Sequence, residues 1–273
     1  MVNLQVHFAQ LPASSDADRI VITSNSVVVL DGATSFAGSD VPAGRYAQQL
    51  GASITANERP EASAVEILED AIRDTALSLG MDAKNGSGPS STVAWLRMRE
   101  DSGRLDALAL GDSLIVIGRA DGSPAEILCD DRLEKLGLPM SEQYRSRLRT
   151  GSGYDEAHRS LLAKLQETQS TYRNVPGGYW IASANPTAAR HALTKSLVVT
   201  EVAWIILATD GAADLIAALD VPWHEIAPLG SAELTDLLAR CQRWEAEIDP
   251  SGAKLPRAKR HDDKTIAVAR FMD

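Results

Sequence analysis

The stretch Val27-Val28-Val29-Leu30-Asp31-Gly32-Ala33-Thr34 runs from four apolar residues, three of them β-branched, straight into a carboxylate and a glycine. The apolar run reads as a buried strand. An unpaired charge at the end of such a strand is costly, so Asp31 needs a reason to be there. A plain turn is one reason, since Asp-Gly is common turn chemistry; Asp121-Gly122, in a polar run, has that character. A second copy of the pattern, Trp204-Ile-Ile-Leu-Ala-Thr-Asp210-Gly211, sets Asp31 apart. Two apolar strands ending in Asp-Gly can deliver two carboxylates to one spot, as an oxygen-ligand metal site requires.

Composition narrows the class. With 273 residues, 44% of them apolar, the chain can bury a real core, and one domain over 1–273 is expected. No run of 18 uncharged apolar residues occurs, so no membrane span is expected. Met1 to His7 lacks the features of a signal peptide. Cys129 and Cys241 stand apart, without metal or disulfide spacing, which suits a cytoplasmic location. A net charge of −10 argues against nucleic acid as a partner.

Taken in order, residues 19–23 and 27–31 read as a hairpin. A loop to Asp40 precedes a helix from Pro42 to Asn57. Residues 62–79 form an amphipathic helix, with Val65, Leu68, Ile72 and Leu79 on one face. Lys84 to Pro89 is loop chemistry. Thr92–Met98, Leu105–Leu110 and Leu114–Gly118 have the spacing of an antiparallel meander, which Glu126–Cys129 extends. Residues 130–153 read as charged surface, 155–171 as helix and 179–183 as strand. A short helix opens at Pro186. Residues 203–209 form the second Asp-Gly strand, helices follow near 211–219 and 231–247, Lys254–Arg260 reads as a solvated loop, and 265–271 is the last strand. This order predicts an α+β fold with two antiparallel sheets covered by helices, strands 27–31 and 203–209 being interior.

Five acidic positions stand out: Asp18 before a strand, Asp31 and Asp210 after strands, Asp112 in the tight Gly111-Asp112-Ser113 turn, and Asp262 before the last strand. Together with Ser90-Ser91-Thr92 and Asp262-Asp263-Lys264-Thr265 they stand in the motif order of a family. The chain resembles the metal-dependent protein serine/threonine phosphatases of the 2C type, the PPM family, over residues 16 to 271. That resemblance implies a four-layer α-β-β-α sandwich, two Mg²⁺ or Mn²⁺ ions and a phosphoprotein substrate. It also implies roles. Asp31 bridges the ions, the Gly32 carbonyl joins one of them, Asp210 and Asp262 are catalytic ligands, and Asp112 serves a third ion. Asp18 and Thr92 support them from behind. Two cations can activate a shared water and clamp phosphoryl oxygens.

The chain departs from the family where substrate is handled. Ala17 replaces a glutamate, Phe8–Ser15 lacks a phosphate-binding arginine, and Ala33 stands where many members have histidine or methionine. Asp-Gly-Ala suggests a bacterial-like, divergent member. A pseudophosphatase that binds phosphoproteins without hydrolysis is the alternative. Gly111-Asp112-Ser113-Leu114 also spells a GDSL-esterase block, but it lies too far along the chain. Val29 stands where a haloacid-dehalogenase phosphatase needs its nucleophilic aspartate. His261 is the one histidine beside an expected ligand; the others show no ligand spacing.

Overall fold

A computed structural model describes residues 2–33, 41–82, 88–99 and 102–272. The loop expected up to Asp40 and most of the loop at 84–89 lie outside these. The strands are β1 (Asn3–Leu11), β2 (Arg19–Ile22), β3 (Ser26–Leu30), β4 (Gly32–Ala33), β5 (Ser90–Ser91), β6 (Val93–Arg99), β7 (Arg104–Leu110), β8 (Leu114–Arg119), β9 (Glu126–Leu128), β10 (Leu193–Val198), β11 (Val202–Ala208) and β12 (Lys264–Met272). The helices are α1 (Ala43–Asn57), α2 (Ala64–Ser78), α3 (Arg132–Lys135), α4 (Pro139–Arg149), α5 (Glu156–Thr171), α6 (Asp210–Ala218), α7 (Trp223–Ile226) and α8 (Ser231–Arg243).

Two five-stranded antiparallel sheets result, in the orders β1-β12-β11-β8-β9 and β10-β7-β6-β3-β2. Both Asp-Gly strands are interior as expected; β11 is the middle strand of its sheet, and β3 lies between β2 and β6. Alternate side chains explain why β3 is apolar without interruption. Val27 and Val29 meet Ile205, Leu207, Ala267 and Ala269 of the other sheet. Val28 and Leu30 face the opposite way, onto Tyr46 and Leu50 of α1 and Ile67 and Leu68 of α2. On the far side Ile206, Ala208 and Val268 pack against α6 and α8. A strand covered on both faces has no polar side to show. Helix α2 starts at a reciprocal cap, in which Ser63 and Glu66 satisfy each other's backbone N–H.

The structure corrects several expectations. The three-strand meander is split: β6 and β7 pair in one sheet, but β8 belongs to the other. The chain changes sheets across Gly111-Asp112-Ser113. Gly111 has φ of +81°, and a Cβ there would lie 2.9 Å from Thr92 Cγ2. Tyr179–Ser183 makes isolated bridges through Tyr179 and Ala182 instead of a strand. Residues 130–153 hold helices α3 and α4, and Tyr144 and Leu148 pack with Leu165 of α5 in a separate small cluster. Lys254–Arg260 is not wholly solvated, because Arg257 is tucked against buried Asp249 at 2.7 Å. Strands β1 and β10 arise where none was read.

Candidate metal centre

Register alone gathers the acidic residues. Leu30, the last residue of β3, pairs with Arg19, the first of β2, so Asp31 and Asp18 share one end. Val93 pairs with Leu110, which puts Thr92 and the 111–113 crossover at that end too. In the other sheet Ala208 faces Leu114 and Ile266, so Asp210, Asp112 and Asp262 all leave their strands there. Five carboxylates therefore converge from both sheets, each one or two residues beyond a strand or within the crossover.

Short hydrogen bonds fix the backbone around them. Thr92 donates its N–H to the Asp31 carbonyl at 2.9 Å, and its Oγ1 accepts from the Asp31 N–H at 3.2 Å. That hydroxyl also bonds Ser113 Oγ at 2.5 Å, tying the crossover to β3. Thr209 does the same for the other sheet. Its hydroxyl donates to Asp18 Oδ2 at 3.0 Å and accepts from the Thr265 N–H at 3.1 Å. Asp263 accepts from the N–H groups of Ala13 and Ala17 and from Ser15 Oγ, tethering the segment that precedes β2. Gly211 permits the close approach of the backbone at Asp263, since a Cβ there would fall 2.2 Å from the Asp263 carbonyl oxygen. At Gly32 a Cβ would fall 2.8 Å from the Ala17 carbonyl oxygen.

Electrostatics follow from this crowding. Burial, and then the charges of Asp210, Asp18, Asp262 and Asp112, push the Asp31 carboxyl well above the usual range. Burial raises Asp18 to about 7, opposed by hydrogen bonds from Thr265 and Thr209 and reinforced by Asp263 and Asp210. Burial and Asp210 raise Asp112 to about 7. Burial also raises Asp262, while Lys259, whose Nζ lies 2.7 Å from Asp262 Oδ1, pulls the other way. Asp18 Oδ1 is buried without a hydrogen-bond partner. Among the described residues, no three acidic, histidine or cysteine side chains close around a single point as a ligand shell. The carboxylates share one end and act on one another through their charges. Their oxygen chemistry, their excess of negative charge and the unpartnered Asp18 oxygen suit hard divalent cations.

The chain matches the protein phosphatase 2C family over residues 13–243. It belongs to that family. The matched span ends before Asp262, and it is the pairing of β12 with β11 that carries Asp262 to the acidic end. The catalytic domain of the serine/threonine phosphatase PstP in complex with two manganese ions is similar at TM-score 0.54 and 13% identity, over 100% of each chain. PppA, a regulatory component of T6SS in Pseudomonas aeruginosa, gives 0.55 at 14% identity, over 100% of each chain. A serine-threonine phosphatase 2C from Toxoplasma gondii gives 0.55 at 15%, over 99% of this chain and 95% of that one. At these identities the likeness is one of fold, and the two-sheet phosphatase 2C architecture is established by it. No curated protein matches the chain in sequence.

Several residues at this end were not singled out in the sequence. Thr209 sits inside the Asp-Gly strand motif, yet its hydroxyl joins two elements. Asp214 lies four residues after Asp210 on α6, a spacing that was legible; burial and Asp210 raise its carboxyl to about 6. Lys259 lies in a basic run that looked merely solvated. His261, singled out in the sequence as the histidine beside an expected ligand, turns its Nδ1 to Glu245 at 3.0 Å. Beside Asp112, a small pocket reaches Asp130, Tyr179 and Trp180. A wider pocket of about 530 Å³ continues from Trp180 between Arg132, Lys135 and His191.

Proposed function

We propose that this protein is a metal-dependent phosphatase that hydrolyses phosphoserine and phosphothreonine in proteins. The observation that supports this best is the convergence of Asp18, Asp31, Asp112, Asp210 and Asp262 from two sheets onto one end. Asp31, the Gly32 carbonyl, Asp210 and Asp262 would hold two Mg²⁺ or Mn²⁺ ions, with Asp112 available to a third. Bound there, the ions would supply an activated water and charge for the phosphoryl oxygens. Thr92 and Thr209 hold the backbone of the ligand strands in place, which is the role of residues behind a metal site. Asp263 anchors the chain before Asp18. Within the family this end of the sandwich faces phosphoproteins.

One observation favours a second reading. Ala17 leaves no carboxylate between Asp16 and Asp18, so a binding protein with the same fold and no turnover is the alternative. Hydrolysis of p-nitrophenyl phosphate with and without Mn²⁺ separates the two. Metal-dependent turnover that disappears in Asp210→Asn supports the phosphatase. Metal binding with no turnover favours the binding protein.

A further inference from the structure

At the acidic end Asp31 is buried, and the charges that act on it are those of Asp210, Asp18, Asp262 and Asp112, all carboxylates. A phosphate ester entering there adds further negative charge to a site already rich in it. Fixed positive charge next to the entering group would offset it. Phe8–Ser15 contributes none. Arg19 is committed elsewhere, its Nη1 donating to the carbonyls of Asp16 and Asp18 at 2.9 and 2.6 Å. Arg132 is held against buried Asp130.

Lys259 differs from both. It is half-exposed, with 51% of its side-chain surface accessible, yet its ammonium sits 2.7 Å from Asp262 Oδ1. Its charge also feels Asp31 and Asp210. The loop that carries it is firmly anchored. Arg257 bonds Asp249 through Nη1 at 2.7 Å, His261 bonds Glu245, and Lys264 donates to Glu245 at 2.9 Å and to the Asp262 carbonyl at 2.8 Å. Lys259 is thus a flexible cation on a rigid base, open to solvent on one side and facing the acidic end on the other.

We infer that Lys259 is a substrate-binding residue whose ammonium receives the phosphoryl oxygens of the phosphate group at the acidic end. The inference rests on the phosphatase reading and extends it to a particular side chain. A lysine ammonium has three donors on a mobile stem. It can therefore keep one hydrogen bond to Asp262 while offering others to a phosphate. The contact is charge-assisted, so its loss lowers affinity for phosphate by roughly tenfold at a half-exposed site.

Inorganic phosphate, titrated by calorimetry into the full chain with saturating Mg²⁺, reads this without turnover. Wild type, Lys259→Met and Lys259→Arg are compared, and Mg²⁺ affinity is measured for each. The expected result is phosphate affinity roughly tenfold weaker in Lys259→Met and within a few-fold of wild type in Lys259→Arg, with Mg²⁺ affinity no weaker in either. Equal phosphate affinity in wild type and Lys259→Met overturns the assignment and leaves the phosphatase reading intact. Loss of Mg²⁺ binding in Lys259→Met also overturns it, because the lysine would then serve only to hold Asp262. A wild type that binds Mg²⁺ but neither binds phosphate nor hydrolyses an aryl phosphate removes both.

Discussion

At the scale of single residues, the crowding of carboxylates has a measurable sign. Asp18 and Asp112 titrate at about 7 in the folded protein, against roughly 3.9 for an ordinary aspartate. The folded state therefore holds more protons than the unfolded chain between about pH 4 and 7, and its stability falls as pH rises through that window. Asp249 and Asp263 are shifted the other way: burial opposes the shift, but backbone N–H groups hydrogen-bonded to each hold it below the usual range, so their effect is confined to more acid conditions. Thermal melts in chelator should accordingly give a lower Tm at pH 7.5 than at pH 5, and Mn²⁺ should raise Tm more at pH 7.5. A flat profile, or one that rises with pH, would show that the carboxylates are not crowded in solution. His261 bears on the chemistry in a different way. Its Nδ1 is engaged by Glu245, and on the phosphatase reading solvent water, not this ring, would protonate a departing serine oxygen. General acid catalysis contributes about 10²–10⁴-fold where it operates, and a phenolate leaving group has little need of it. Aryl phosphates should thus be hydrolysed far faster than a phosphoserine peptide, and His261→Ala should leave the ratio unchanged. A selective loss on the peptide would identify His261 as the acid.

At the scale of elements, the strands that end in Asp-Gly were legible because burial on both faces leaves an unbroken apolar run and the carboxylate marks its end. The hairpin of β2 and β3 and helices α1 and α2 were legible for similar reasons of periodicity and turn chemistry. Strand β1 was not, because its inward residues are shared between two clusters: Leu4 and Val6 pack between the sheets, while Ala9 packs on the helix side. The split of the meander was hidden too, since a three-residue connection looks the same whether the next strand pairs locally or crosses to another sheet. Helix α4 was masked by its charge; it buries only Tyr144 and Leu148. The basic run 254–260 misled most, because the carboxylates that bind it, Glu245 and Asp249, lie in the turn that follows α8. Glu245, almost fully buried, collects His261 and Lys264 from the loop that carries Asp262. Removing it strands the buried Lys264 ammonium, which typically costs about 3–5 kcal/mol. Glu245→Ala should lose about that much in urea denaturation and bind Mn²⁺ more weakly. A loss below about 1 kcal/mol would mean that the loop is held by other contacts.

At the scale of the whole molecule, two sheets are stacked so that their alternating apolar faces seal one interior, with α1 and α2 outside one sheet and α6 and α8 outside the other. The antiparallel registers bring six chain segments to a single end, and five carry a carboxylate there. A stable core under a ring of like charges is a costly arrangement unless a cation offsets it. Divalent metal at that end would supply the offset. The direct test titrates the chain with Mn²⁺ by calorimetry near neutral pH, wild type beside Asp31→Asn. Two Mn²⁺ ions per wild-type chain are expected, with loss of high-affinity binding when Asp31 no longer carries its charge. Unchanged Mn²⁺ affinity and stoichiometry in Asp31→Asn would contradict this.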